Sequence, residues 1–202
     1  MGRRRWWGWL ALLLVLGLSG CGGMRLIGSQ VESISALPAG SVWQGQRYRF
    51  DWLPSQQGQP LTPALAQWTQ DALAGVGLVR DDREALLSVQ VQFKRQSFLV
   101  DEYGRPMPPG AWGSVMIGSG RGVDRWGLGM GMRFPPSTHY LHEVSLILRD
   151  LRTQQVVYET RARHQGPWSD DERLVPTLLR AALDGFPNPP RLPRQVNLEI
   201  PR

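Results

Sequence analysis

Four stretches of this chain alternate apolar and polar residues with period two, and two others repeat apolar residues with the period of a helix. No other feature constrains the fold as much. In the clearest alternation Leu87, Val89, Val91 and Phe93 stand against Ser88, Gln90, Gln92 and Lys94. Arg47 to Leu53 sets Tyr48, Phe50 and Trp52 against Arg47, Arg49 and Asp51. Leu141 to Leu151 and Val156 to Arg163 read as the arms of a hairpin turning at Arg152-Thr153-Gln154-Gln155. Val144, Leu146 and Leu148 face one way in the first arm, and Val156, Tyr158 and Ala162 in the second. Such segments are half-buried strands, one side to a core and one to water. A shorter alternation near Ile27 to Ile34 predicts a first strand, with Pro38-Ala39-Gly40 as a turn.

The helical pattern falls in two places. Thr62-Pro63 predicts a helix start, with Thr62 as N-cap and Pro63 at the first helical position. Leu65, Trp68, Ala72, Leu73 and Val76 then form one stripe, and Gly77 ends it. Ser169 and Glu172 fit a capping box ahead of Leu174, Leu178, Leu179, Ala182, Leu183 and Phe186. Pro176 lies within that span and predicts a kink or a later start. Residues 191–202 are a proline-rich extension in which Val196, Leu198 and Ile200 suggest an edge strand. Strands with two separate helices and no repeating βαβ rhythm imply an α+β domain over residues 47–190, an antiparallel sheet with both helices on one face. Val100 to Pro136 interrupts this pattern with nine glycines, five prolines and four of the six methionines. A stretch of that length is a functional loop or a glycine-rich hairpin. Its Trp112, Met116, Trp126, Met130 and Met132 form a candidate contact surface.

Residues 1–20 carry an address. Arg3-Arg4-Arg5 form a basic start, and Trp6 to Leu18 an apolar run too short to span a bilayer as a permanent helix. Leu18-Ser19-Gly20-Cys21 resembles the bacterial lipobox, in which the cysteine is diacylated and becomes the first residue after cleavage. Cys21 is the single cysteine, so the chain has no internal disulfide and no CxxC metal or redox site. Cys21 is thus the lipidation site, and residues 21–46 are a lipidated cysteine, a tether and the first strand. Two or three acyl chains hold a protein firmly on a membrane. Gly22 is not the aspartate that retains lipoproteins in the inner membrane, which favours the outer one.

The formal charge of +6 shrinks once the leader is removed. Without Arg3, Arg4 and Arg5, 20 of the 23 basic residues remain against 17 acidic ones, so the mature chain is near +3 and implies no nucleic-acid partner. No catalytic constellation emerges. Gly118-Ser119-Gly120-Arg121-Gly122 and Gly127-Leu128-Gly129-Met130-Gly131 lack the following helix and lysine of a phosphate loop. His139 and His142, three apart on a strand, point to opposite faces and cannot share a metal. Asp170, Asp171 and Glu172 suit a helix start. No cofactor is implied.

Four pieces in order, the lipobox, Tyr48-Arg49-Phe50-Asp51-Trp52-Leu53-Pro54, the hairpin Leu146 to Asp150 with Val156 to Tyr158, and a helix ending Phe186-Pro187, resemble the bacterial lipoproteins grouped as domain of unknown function 4136. The resemblance covers about residues 24–190 and implies an α+β envelope lipoprotein without an established activity or active site. The expectation is an outer-membrane-anchored protein on the periplasmic face, a non-enzymatic structural or interaction module with an envelope protein partner. The alternative is a module that binds a small ligand or glycan in a groove.

Overall fold

The computed structural model describes residues 24–37, 42–101, 103–107 and 136–201. The elements in chain order are β1 (Met24–Ser35), β2 (Arg47–Phe50), α1 (Thr62–Gly75), β3 (Val79–Arg80), β4 (Leu87–Val100), β5 (Ser137–Asp150), β6 (Val156–Gly166), α2 (Asp171–Ala182) and β7 (Arg194–Pro201). The strands form one seven-stranded sheet in the order β3-β2-β4-β5-β6-β1-β7.

The class is α+β, and the sheet is mixed rather than antiparallel. β2 runs parallel to both β3 and β4, with Tyr48 opposite Arg80 on one side and Leu87 on the other. The cause is α1: it carries the chain back along the sheet, so the strands after it run in the direction of β2. The remaining pairs are antiparallel, led by β4 with β5, aligned from Leu87 opposite Asp150 to Val100 opposite Ser137. β4 thus runs well past Phe93. β7 is the predicted edge strand and pairs with β1 from Met24 opposite Pro201 to Val31 opposite Arg194.

Buried side chains of both helices share one core with alternate residues of the strands. Leu65, Leu73, Leu178 and Leu179 join Val31, Val89, Val91, Val144, Leu146, Leu148, Tyr158 and Ala162. Tyr48, Phe50 and Trp52 do form one aromatic run, with Phe50 stacked on Trp52 at 5.0 Å and edge-on to Tyr48 at 5.6 Å. Ile34 lies on the solvent side of β1, 72 % exposed, whereas Ile27 is fully buried. Val156 is also turned outward, because a bulge beside Leu148 and Arg149 shifts the register ahead of Tyr158.

The helix ends depart from their sequence signals. Leu61, not Thr62, is the N-cap of α1, and the Thr62 hydroxyl donates instead to the Gln56 carbonyl at 2.7 Å. Thr69, not Trp68, sits at the centre of the buried stripe; Trp68 is half-buried against the core. The C-terminus closes as expected on Gly77, at φ +87°, whose amide donates to Ala74 while that of Leu78 donates to Leu73. α2 makes no capping box: Asp170 is the N-cap without a side-chain cap bond, and the helix continues through Pro176.

Candidate functional site

Two polar constellations stand out, one within the core side of the sheet and one on its solvent side. The first surrounds the start of α2. His142, fully buried, lies opposite Arg95 of β4 and His164 of β6. Its Nε2 is 3.1 Å from Asp171 Oδ1, while Asp171 Oδ2 accepts from Arg95 at 2.7 Å. The imidazole stacks on Phe93 with centroids 6.0 Å apart. One residue earlier, at the N-cap, Arg25 donates to Asp170 at 2.8 Å and lies over the Trp168 ring at 4.7 Å. His164 bonds through Nδ1 to the Gly28 carbonyl at 2.8 Å.

Burial holds the His142 pKa below the ordinary histidine value, more than the neighbouring Asp171 carboxylate raises it. The Asp170 carboxyl is pushed up by burial, yet the Arg25 hydrogen bond and nearby positive charge outweigh that and leave it lowered. This constellation fastens α2 to β1, β4 and β5. Among the described residues no group of three or more histidine, cysteine or acidic side chains is arranged to hold a metal ion. His139 and His142 do lie on opposite faces of β5.

On the solvent side, the register alone assembles a second group. One row runs Lys94, Glu143, Arg163, Gln30 and Gln195 across β4, β5, β6, β1 and β7. In a parallel row Gln96 stands opposite Leu141, Leu141 opposite Gln165, and Gly28 opposite Asn197. A depression of about 480 Å³ lies over Gly28, Gln30, Leu141, Arg163, Gln165 and Gln195. A second, of about 220 Å³, continues over Lys94, Gln96 and Glu143 and shares Leu141 with the first. Arg163 Nε donates to Glu143 at 2.6 Å, and Arg161 is 3.6 Å from the same carboxylate. A third hollow, of about 300 Å³, lies between the 53–62 loop and β4.

Of His139, His142, Asp170, Asp171 and Glu172, weighed in the sequence as metal ligands or helix-start acids, His142, Asp170 and Asp171 enter the first group and none enters the second. Cys21 and the contact candidates Trp112, Met116, Trp126, Met130 and Met132 lie outside the described residues, as do both glycine motifs and the Pro38-Ala39-Gly40 turn. The groove residues had one sequence signal, an isolated Gly28 inside an alternating stretch. No helix among the described residues is long and apolar enough to cross a membrane.

An α+β unit built on a seven-stranded mixed sheet with two helices is the class these elements define. A model of the domain of unknown function DUF4136 matches residues 40–188, and the chain belongs to that family. No curated protein matches it. Among solved structures, a PDZ domain protein from Parabacteroides distasonis ATCC 8503 shares the fold at 9 % identity and a TM-score of 0.51, over 88 % of this chain and 39 % of that one. The PelC dodecamer from Paraburkholderia phytofirmans aligns at 10 % identity and a TM-score of 0.47, over 80 % of this chain and 99 % of that chain. A point variant of that dodecamer aligns at 11 % and 0.45, over 77 % and 94 %.

Proposed function

We propose that this chain is a lipoprotein of the cell envelope, anchored by acylated Cys21 in the outer membrane with its domain on the periplasmic face, and that it works by binding rather than by catalysis. The observation that carries this reading is Leu18-Ser19-Gly20-Cys21 closing a short apolar run led by three arginines, with no other cysteine in the chain. Diacylation at Cys21 supplies enough buried methylenes for a firm anchor. The domain then serves as a structural or interaction module toward an envelope protein partner.

A second reading, a small polar ligand or glycan as the bound species, is favoured by the depressions on the solvent side of the sheet. They are lined by amide side chains interleaved with the charged Lys94, Glu143, Arg163 and Arg194 rather than by a flat apolar surface. Cys21→Ser tests the anchor. In palmitate-fed cells the variant loses acyl label and lipoprotein-type cleavage, and Gly22→Asp moves the protein toward the inner membrane. A Cys21→Ser protein that still labels and still fractionates with the outer membrane overturns the reading.

A further inference from the structure

The geometry points to a linear, uncharged, hydroxyl-rich ligand, an oligosaccharide chain, lying across five strands in the groove that Gln96, Leu141, Gln165, Gly28 and Gln195 line. The inference rests on the ligand-binding reading of that face and specifies the occupant.

Length sets the first constraint. Strands β4, β5, β6, β1 and β7 are consecutive neighbours, so at the usual interstrand spacing the row spans on the order of 20 Å. The two depressions both border Leu141, so they lie side by side along the row and together leave room for several sugar residues. Chemistry sets the second. Gln96, Gln165, Gln30, Gln195 and Asn197 all belong to solvent-side rows, and each amide both donates and accepts. Sugar hydroxyls also do both, while Leu141 at the centre offers an apolar surface for the C–H face of a ring.

Charge sets the third. Lys94 and Arg163 both stand opposite Glu143 in register, the Arg163 guanidinium is bonded to it, and Arg161 stands opposite Glu32. Arg194, which also borders the groove, pairs with Asp184. Lys94, Arg161, Arg163 and Arg194 thus stand against Glu143, Glu32 and Asp184, and the residual charge near +1 is a weak field for a polyanion. Of the five strands, β4, β5, β6 and β1 are interior and only β7 has a free edge, so a peptide could add as a strand along the outer side of β7 but not across the groove.

Gly28 ties the three together. A glycine inside a strand weakens it and marks a close approach. A Cβ at Gly28 would come within 3.0 Å of Gln195 Nε2 and 3.1 Å of Asn197 Oδ1. The bare backbone lets these two amides lie inward over β1, 3.3 Å from one another, where Gln195 forms part of the lining of the depression.

The test uses the full-length chain in a sugar-free zwitterionic detergent, titrated with maltohexaose, cellohexaose and chitohexaose and read by calorimetry and saturation-transfer NMR. At least one hexasaccharide binds, with an affinity that added salt leaves unchanged. Gln165→Ala with Gln195→Ala weakens it by about tenfold or more, the loss of two hydrogen bonds. Glu159→Gln, on the same face at the far end of β6, has no effect. The circular-dichroism melt of the double variant matches that of the parent, since both glutamines are exposed. The proposal is overturned if none of the three sugars binds, if the double variant binds as the parent does, or if only a heparin hexasaccharide or an extended peptide binds. Acyl labelling at Cys21 is scored separately, so the anchor reading survives or fails on its own.

Discussion

At His142 the protonation of one side chain bears on how α2 is held. The ring is enclosed by Phe93 and Tyr140, with Asp171, Arg95 and His164 as its ionisable neighbours. Desolvation disfavours the imidazolium, and the folded pKa is lowered. The unfolded chain, with its histidine near 6.5, therefore binds the proton more readily than the fold does. The sign follows: stability is full above the unfolded value and falls as pH drops below it, until the folded value is passed. The melting temperature should decline from neutral toward mildly acidic pH, and His142→Gln should flatten that decline, because glutamine can still bond Asp171 without titrating. A variant with the same slope as the parent would remove His142 as its source. Asp170, whose folded pKa is lowered, acts in a different window: its contribution is present above the ordinary carboxylate range and is lost on further acidification.

At the scale of elements, α1 shows what a hydrophobic stripe specifies. The period placed Leu65, Ala72 and Leu73 inward, as found, but the largest member of the stripe, Trp68, ends half-buried while Thr69 takes the inner place. Thr69 can do so because its hydroxyl donates to the Leu65 carbonyl at 2.7 Å, which satisfies a polar atom inside the core. Leu73→Ala should therefore cost about 2–5 kcal/mol, the range for an aliphatic side chain lost from a packed core. Trp68→Ala should cost visibly less than Leu73→Ala, and urea denaturation of the two variants gives the order. A larger loss at Trp68 would mean that its contact with the core outweighs full burial of a leucine.

The same elements show where the sequence stops being legible. Alternation located β2, β4, β5, β6 and the core faces of most of them, because side-chain period is a local property. Strand direction is not local. The parallel pairing of the four-residue β2 follows from the path of α1 and leaves no trace in the alternation. Register is not local either, and both constellations depend on it. His142 meets His164, and Gln30 meets Gln195, only once β5, β6, β1 and β7 are aligned. Of the groove, Lys94 and Leu141 were legible only as members of alternating strands, and Gly28, a glycine inside a strand, carries a signal that the alternation near Ile27 to Ile34 did not bring out. The two strands outside the matched family span, β1 and β7, are also each other's partners, and together they supply Gly28, Gln30 and Gln195.

For the whole molecule, the question is whether residues 108–135 are needed for the domain to fold. The strands on either side do not depend on them for alignment: β4 and β5 pair without interruption from Leu87 opposite Asp150 to Val100 opposite Ser137. Past Val100, which is buried, the chain makes its own local closure. Asp101 Oδ1 accepts from the amides of Tyr103 and Arg105, and Met107 donates back to the Leu99 carbonyl. The two ends of the insertion are thus held by strand pairing and by a turn within residues 101–107. Glycine-rich chain is costly to order, and shortening it changes the closure entropy by only about 1 kcal/mol or less. Replacing residues 108–135 with a six-residue Gly-Ser linker should leave a single cooperative melt, with a midpoint near that of the parent. Any envelope protein that binds through Trp112, Met116, Trp126, Met130 and Met132 should no longer co-purify with the shortened protein. A shortened chain that fails to melt cooperatively would show instead that those tryptophans and methionines are part of the core.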